Sequence, residues 1–171
     1  MSKEPPRGIR NNNPLNIRRS SAKWQGLVAP SSSPEGGGNK QGYDAEFCQF
    51  ENMMYGFRAA FKLLFSYYYK HGLRTVQGII NRWAPDEDNN NTKVYGKFVI
   101  NYMMGAGAYE ANTRMIMPKP EEGPYTWKLL VKAMAEMEST KAIRKYFDGN
   151  INEAYEAAIN STNLKSLNRN S

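Results

Sequence analysis

The chain has one cysteine and one histidine in 171 residues, and each scarcity excludes a chemistry. Cys48 alone closes no internal disulfide, so the fold must rest on its core. His71 and Cys48 are too few for a zinc site, and a thiol nucleophile would need these two residues to meet in space. No metal site and no cofactor are expected. Long apolar runs are also missing. Nowhere do about 18 consecutive apolar residues occur, and the opening MSKEPPRGIRNNN lacks the apolar centre of a signal peptide. No membrane insertion is encoded, and synthesis in the cytoplasm without a signal peptide is expected.

Acidic residues are in the minority, 16 against 23 Lys and Arg, which gives a formal charge of +7. That balance favours a polyanionic partner, either nucleic acid or a bacterial wall bearing stem-peptide carboxylates and teichoic acids. Basic residues are scattered apart from Arg18-Arg19, and no basic stripe follows a predicted helix. This argues against nucleic acid.

Apolar residues make up 40% and aromatics 12% of the chain, which suits one packed domain. Residues 1–14 read as an extended lead-in, because Pro5-Pro6 and the Asn11-Asn12-Asn13-Pro14 run oppose regular structure. Leu15–Arg18, Trp24–Ala29 and Glu46–Glu51 read as short strands around a low-complexity loop at 30–42. From Met53 onward the spacing is helical. Phe57, Phe61, Leu64, Phe65 and Tyr68 mark one helix, and Val76, Ile79, Ile80 and Trp83 mark a second, begun by Thr75 and stopped by Pro85. Tyr95, Phe98, Val99 and Tyr102 mark a third, and further helical stretches follow at about 126–139, 141–147 and 152–159. The expected fold class is α+β, mostly α, with a small N-terminal β-hairpin lobe: one domain over 1–160 and a disordered polar tail at 161–171.

One acid stands out by phase. Counted from Trp127, the residues Leu130, Val131, Met134 and Glu138 each fall within about 60° of its direction at roughly 100° per residue. Glu138 therefore shares the apolar stripe, whereas Glu136 is expected to face solvent. A carboxylate on a buried face is either paired or functional, because burying an unpaired charge is costly and the group protonates instead. Its place in the last helical turn raises its pKa further. A protonated carboxyl near neutral pH is what a general acid for glycoside cleavage requires. The structural alternative is an ion pair with Arg144 or Arg58.

The words Arg7–Arg18 (RGIRNNNPLNIR), Trp24–Leu27 (WQGL), Phe47–Phe50 (FCQF), Tyr55–Ala59 (YGFRA) and Thr75–Pro85 (TVQGIINRWAP) occur in the order of a family of phage virion-associated lytic proteins, which the chain resembles. That resemblance implies a lysozyme-like fold and action on peptidoglycan. The Asn-rich portion is also similar to the hairpin lobe of bacterial N-acetylglucosaminidases, where a helix ending A-x-x-x-x-E-S comes first. Only ten residues precede Asn11 here, too few for that helix. Ala133–Ser139 (AMAEMES) resembles it at the other end of the chain, which implies a circularly permuted arrangement.

On this reading Glu138 is the catalytic acid and Asp44, with Glu46 beside it, is a candidate second carboxylate. Asn11, Asn12, Asn13 and Asn16 present amides suited to acetamido and hydroxyl groups, or else form a turn before Pro14. Trp24 and Tyr95 are candidate sugar platforms, Trp83 a packing residue, and Arg58 a group that orients a carboxylate. The expected partners are peptidoglycan and virion or secretion-machine components, with action at the wall after delivery. A murein endopeptidase and a wall-binding virion component without catalysis remain the competing readings.

Overall fold

A computed structural model describes residues 4–29, 42–88, 91–108 and 115–162. Most of the expected loop at 30–42, and residues 163–171 of the expected tail, lie outside the described residues. Among the described residues six α-helices follow one another: α1 (Arg7–Arg10), α2 (Met53–Tyr69), α3 (Val76–Trp83), α4 (Thr92–Gly105), α5 (Pro124–Ser139) and α6 (Asn150–Ser161).

Local chemistry sets the boundaries. Asn52 Oδ1 accepts from the Tyr55 amide, Thr75 Oγ1 from Gly78 and Asn91 Oδ1 from Val94, so α2, α3 and α4 each begin on a side-chain cap. Asp86 Oδ1 also accepts from the Thr92 amide, so the polar segment after Pro85 caps α4. Pro124 occupies the first turn of α5, where its missing N–H costs nothing. Thr140, at φ 62°, breaks α5, and a 3-10 segment (Lys141–Tyr146) follows.

The helices enclose an aromatic core. Trp127 is fully buried, with Phe65 at 5.4 Å and Tyr68 at 5.9 Å edge-on, while Tyr155 of α6 meets Phe61 of α2 at 5.6 Å. Burying each side chain of this size stabilises the fold by roughly 1.5–3 kcal/mol, so α2 packed on α6, and α5 packed on α4, form the body of the molecule.

Three features differ from what the sequence suggests. The lead-in is not extended throughout, since α1 forms one helical turn with the Ile9 and Arg10 amides donating to Pro6 O. The hairpin lobe does not form regular strands among the described residues. Its segments pair only through antiparallel bridges, Arg18 with Phe47 and Leu27 with Phe50. Asn12 and Asn16 (both φ 52°) and Gly26 (φ 76°) adopt left-handed backbone, which interrupts any extended ladder. Finally, α5 is buried on nearly all sides and not along one stripe, so Glu136 lies inside, 5% exposed. Phe98, expected on the apolar stripe of α4, is 36% exposed.

Candidate functional site

The N-terminal segment reaches the end of α5 because two glycines let it. A Cβ on Gly8 would stand 1.9 Å from Ser139 Oγ, and one on Gly56 of α2 would stand 1.9 Å from the Asn12 carbonyl. With those hydrogens in place of methyl groups, α1 sits on α5, and Ser139 Oγ donates to Pro14 O at 2.8 Å. The Asn-rich turn is thereby held beside the last turn of α5.

Its four asparagines divide into builders and one that faces the acid. Asn11 Nδ2 donates to Asp44 Oδ2 at 2.9 Å, and Asn12 Nδ2 donates to Phe50 O at 3.0 Å. Asn13, fully buried, donates to Ile17 O and Cys48 O and accepts from the Ile17 amide. These amides are engaged inside the lobe, so the sugar-binding role considered for Asn11, Asn12 and Asn13 gives way to the turn-forming one. Asn16 differs. Its Nδ2 lies 3.2 Å from the Glu138 carbonyl and 3.3 Å from Glu138 Oε2, while its Oδ1 is buried with no ordinary hydrogen-bond partner.

Around Glu138 the surroundings oppose one another. Burial raises its pKa, and Asn16, Tyr95, Trp83 and the charge of Arg18 each lower it; burial prevails, and the carboxyl sits above its usual range. Tyr95, 4% exposed on α4, is pushed well above the ordinary phenol value, first by burial and then by the Glu138 charge. Its hydroxyl has no hydrogen bond of ordinary geometry, so it faces the carboxyl loosely. Glu138 is thus a half-buried acid lined by an amide, an indole and a phenol, all of which can donate hydrogen bonds.

The remaining candidates lie elsewhere. Asp44 accepts from Asn11 and from the Glu46 and Phe47 amides, and lies 3.6 Å from Arg7. Burial raises its pKa, but these partners together hold it below the usual carboxylate value. Its hydrogen bonds and its ion pair are all made within the lobe, which it orders. Arg58 donates to Ser161 Oγ at 3.0 Å and ties α2 to the end of α6. Trp24 is half-buried against the core with its indole N–H enclosed and unpartnered, and Tyr95 is too buried to offer a ring face. Neither is placed as an open platform for a sugar ring.

Sequence reasoning missed two participants. Trp83, read as a packing residue, has its indole at Glu138. Glu136, read as exposed, takes the arginine considered for Glu138: Arg144 Nη2 lies 2.7 Å from its Oε1. The position of Arg144 eight residues on, across a helix break, is the signal that finds this pair. Cys48 is buried among core residues and His71 is exposed against Tyr67, so the two do not form a nucleophilic pair.

No family model matches the chain. Protein P5 of Pseudoalteromonas phage PM2 is 34% identical over 139 residues, an alignment that covers 80% of this chain and 72% of that protein. The relative is a phage protein, which agrees with the phage origin implied by the Asn-rich words, and its name states no activity. Identity of this size over most of both chains shows that this protein belongs to the family of phage Protein P5.

Proposed function

We propose that the protein cleaves the glycan strands of bacterial peptidoglycan, with Glu138 as the general acid. The observation that carries this reading is the placement of Glu138. It is a half-buried carboxyl in the last turn of α5, held above its usual pKa by burial, with Asn16 of the Asn-rich segment 3.3 Å from its Oε2. A raised pKa favours the protonated form, and the glycosidic oxygen must receive that proton as the C1–O bond breaks. The resulting electron-poor C1 is then captured by water or by a group of the sugar itself. Asp44 is committed to the lobe, and Glu136 is committed to Arg144. A single-acid scheme is therefore the economical one, with the acetamido oxygen of the substrate as nucleophile, or its C6 hydroxyl, whose proton returns to the Glu138 carboxylate as the new C1–O bond forms.

Lysozyme-like ancestry with the acid helix moved to the C-terminal end remains part of this proposal. It accounts for the contact between residues 16 and 138, which are distant in the chain. Delivery to the wall by a virion, or by a secretion machine, belongs to the same proposal. The endopeptidase reading finds no support in the separated Cys48 and His71.

Mass spectrometry of purified sacculi after digestion tests the proposal. Wild type should release fragments with new reducing or anhydro sugar ends, and E138Q should release at least 100-fold fewer, within the roughly 10²–10⁴ range for loss of a general acid. Freed stem peptides would point to an endopeptidase. Wall binding without any products would point to a non-catalytic virion component.

A further inference from the structure

Arg18 lies two residues after Asn16, and Phe47 fixes its position. Its guanidinium carbon is 4.7 Å from the Phe47 ring centroid, and that of Arg7 lies 4.7 Å from the same centroid. Two like charges share one ring, an arrangement that the attraction of a guanidinium to an aromatic face makes tolerable. The two arginines are used differently. Arg7 is drawn to the half-buried Asp44 at 3.6 Å. Arg18 is 73% exposed, and its carboxylate neighbour Glu46, 68% exposed, is 3.9 Å away, at the weak end of surface ion pairs. Glu46 does not satisfy the five-donor fork of Arg18. Arg18 is also close enough to Glu138 for its charge to act on that carboxyl.

We propose that Arg18 reads a carboxylate of the substrate beside the bond that Glu138 breaks, so that the site prefers the acidic, carboxylate-bearing strands of peptidoglycan over a neutral N-acetylglucosamine polymer. This rests on the glycan-cleaving role proposed for Glu138. The chemistry of the residue supports it: guanidinium binds carboxylate through two parallel N–H···O bonds, a geometry that lysine does not reproduce. Stacking on Phe47 pre-orders the side chain, which lowers the entropy lost on binding. The formal charge of +7 draws the same kind of polymer toward the protein.

The test compares two substrates: soluble peptidoglycan strands free of teichoic acid, and the same strands with every carboxylate converted to an amide. Wild type should show an apparent KM about tenfold lower on the native strands, the scale of one charge-assisted contact at a partly exposed site. R18Q should raise KM about tenfold on native strands and by less than twofold on the amidated ones, while any change in kcat from the lost charge beside Glu138 should be the same on both substrates. R18K, which keeps the charge but loses the fork, should recover only part of the difference. An unchanged melting temperature for R18Q serves as the fold control, since the side chain is exposed. If wild type cleaves both substrates and R18Q raises KM equally on both, or leaves it unchanged on the native one, the role of Arg18 is overturned and glycan cleavage stands. If wild type releases no new sugar ends from either substrate, the role of Glu138 fails and that of Arg18 falls with it.

Discussion

Substituting Gly8 by alanine should loosen the junction that brings the Asn-rich turn to the acid helix. The added methyl group would stand 1.9 Å from Ser139 Oγ, 2.9 Å from Asn13 O and 3.2 Å from Ser139 Cβ, so some of these atoms must move. Ser139 is fully buried and its Oγ is bonded to Pro14 O, which leaves no free rotation to absorb the strain. Overpacking costs about 1–3 kcal/mol, and a broken buried hydrogen bond adds about 1 kcal/mol. The expected loss for G8A is therefore about 2–4 kcal/mol, or a fall in melting temperature of roughly 5–15 °C for a domain of this size.

Urea denaturation of wild type, G8A, S139A and the double variant forms a cycle that isolates the contact. Removing Oγ takes away the shortest approach, so G8A/S139A should be more stable than the sum of the two single losses by about 1–2 kcal/mol. The recovery is partial because Asn13 O and Ser139 Cβ remain close. The displacement should also reach the acid, because Asn13 N donates to Gly8 O and Asn16 N to Asn13 O, which links Gly8 to Asn16 through the backbone. A G8A protein within about 0.5 kcal/mol of wild type, or losses that simply add, would refute this account of the junction.

Two further predictions concern the acid and its asparagines. The folded-state pKa of Glu138 is raised above its ordinary value of 4.5, so below that value both folded and unfolded chains are protonated and folding carries no penalty. As pH rises through the folded value, wild type must either ionise a buried acid or hold its proton, and stability is lost. E138Q should therefore be more stable than wild type in urea titrations at pH 7, and the gap should close below about pH 4; a wild type of equal or greater stability at pH 7 contradicts the raised pKa. The asparagines should separate by readout. N13A deletes three buried hydrogen bonds and should cost about 3 kcal/mol. N16G keeps the left-handed backbone, so it should cost at most about 1 kcal/mol while lowering the rate of glycan cleavage about tenfold. An N16G enzyme of unaltered rate would remove Asn16 from the site.

Much of the helical layout is legible in the sequence because its determinants are local. Thr75, Asn91 and Pro124 act within one turn of where they stand, and the apolar spacing from Phe57 to Tyr68 marks α2 without reference to any other element. The lobe was less legible. Its alternating residues suggest strands, but the left-handed backbone of Asn12 and Asn16 is enforced by distant carbonyls and by the close pass over Gly56. Helical phase predicts a buried Glu138 and an exposed Glu136, whereas the structure leaves Glu138 half-buried and encloses Glu136. Phase measures direction around one axis, and α5 has neighbours on almost every side.

The sequence by itself determined where the longer helices run, that one cysteine and one histidine support neither an internal disulfide nor a zinc site, and that Glu138 sits at the end of an apolar helix. Only the tertiary structure decided which basic group each acid received, giving Arg144 to Glu136 and leaving Glu138 to Asn16, Trp83, Tyr95 and the field of Arg18. The reason is range. Caps and periodicity act through bonds a few residues apart, whereas the environment of Glu138 is assembled from the N-terminal turn, α3 and α4, whose meeting depends on packing that no single segment encodes.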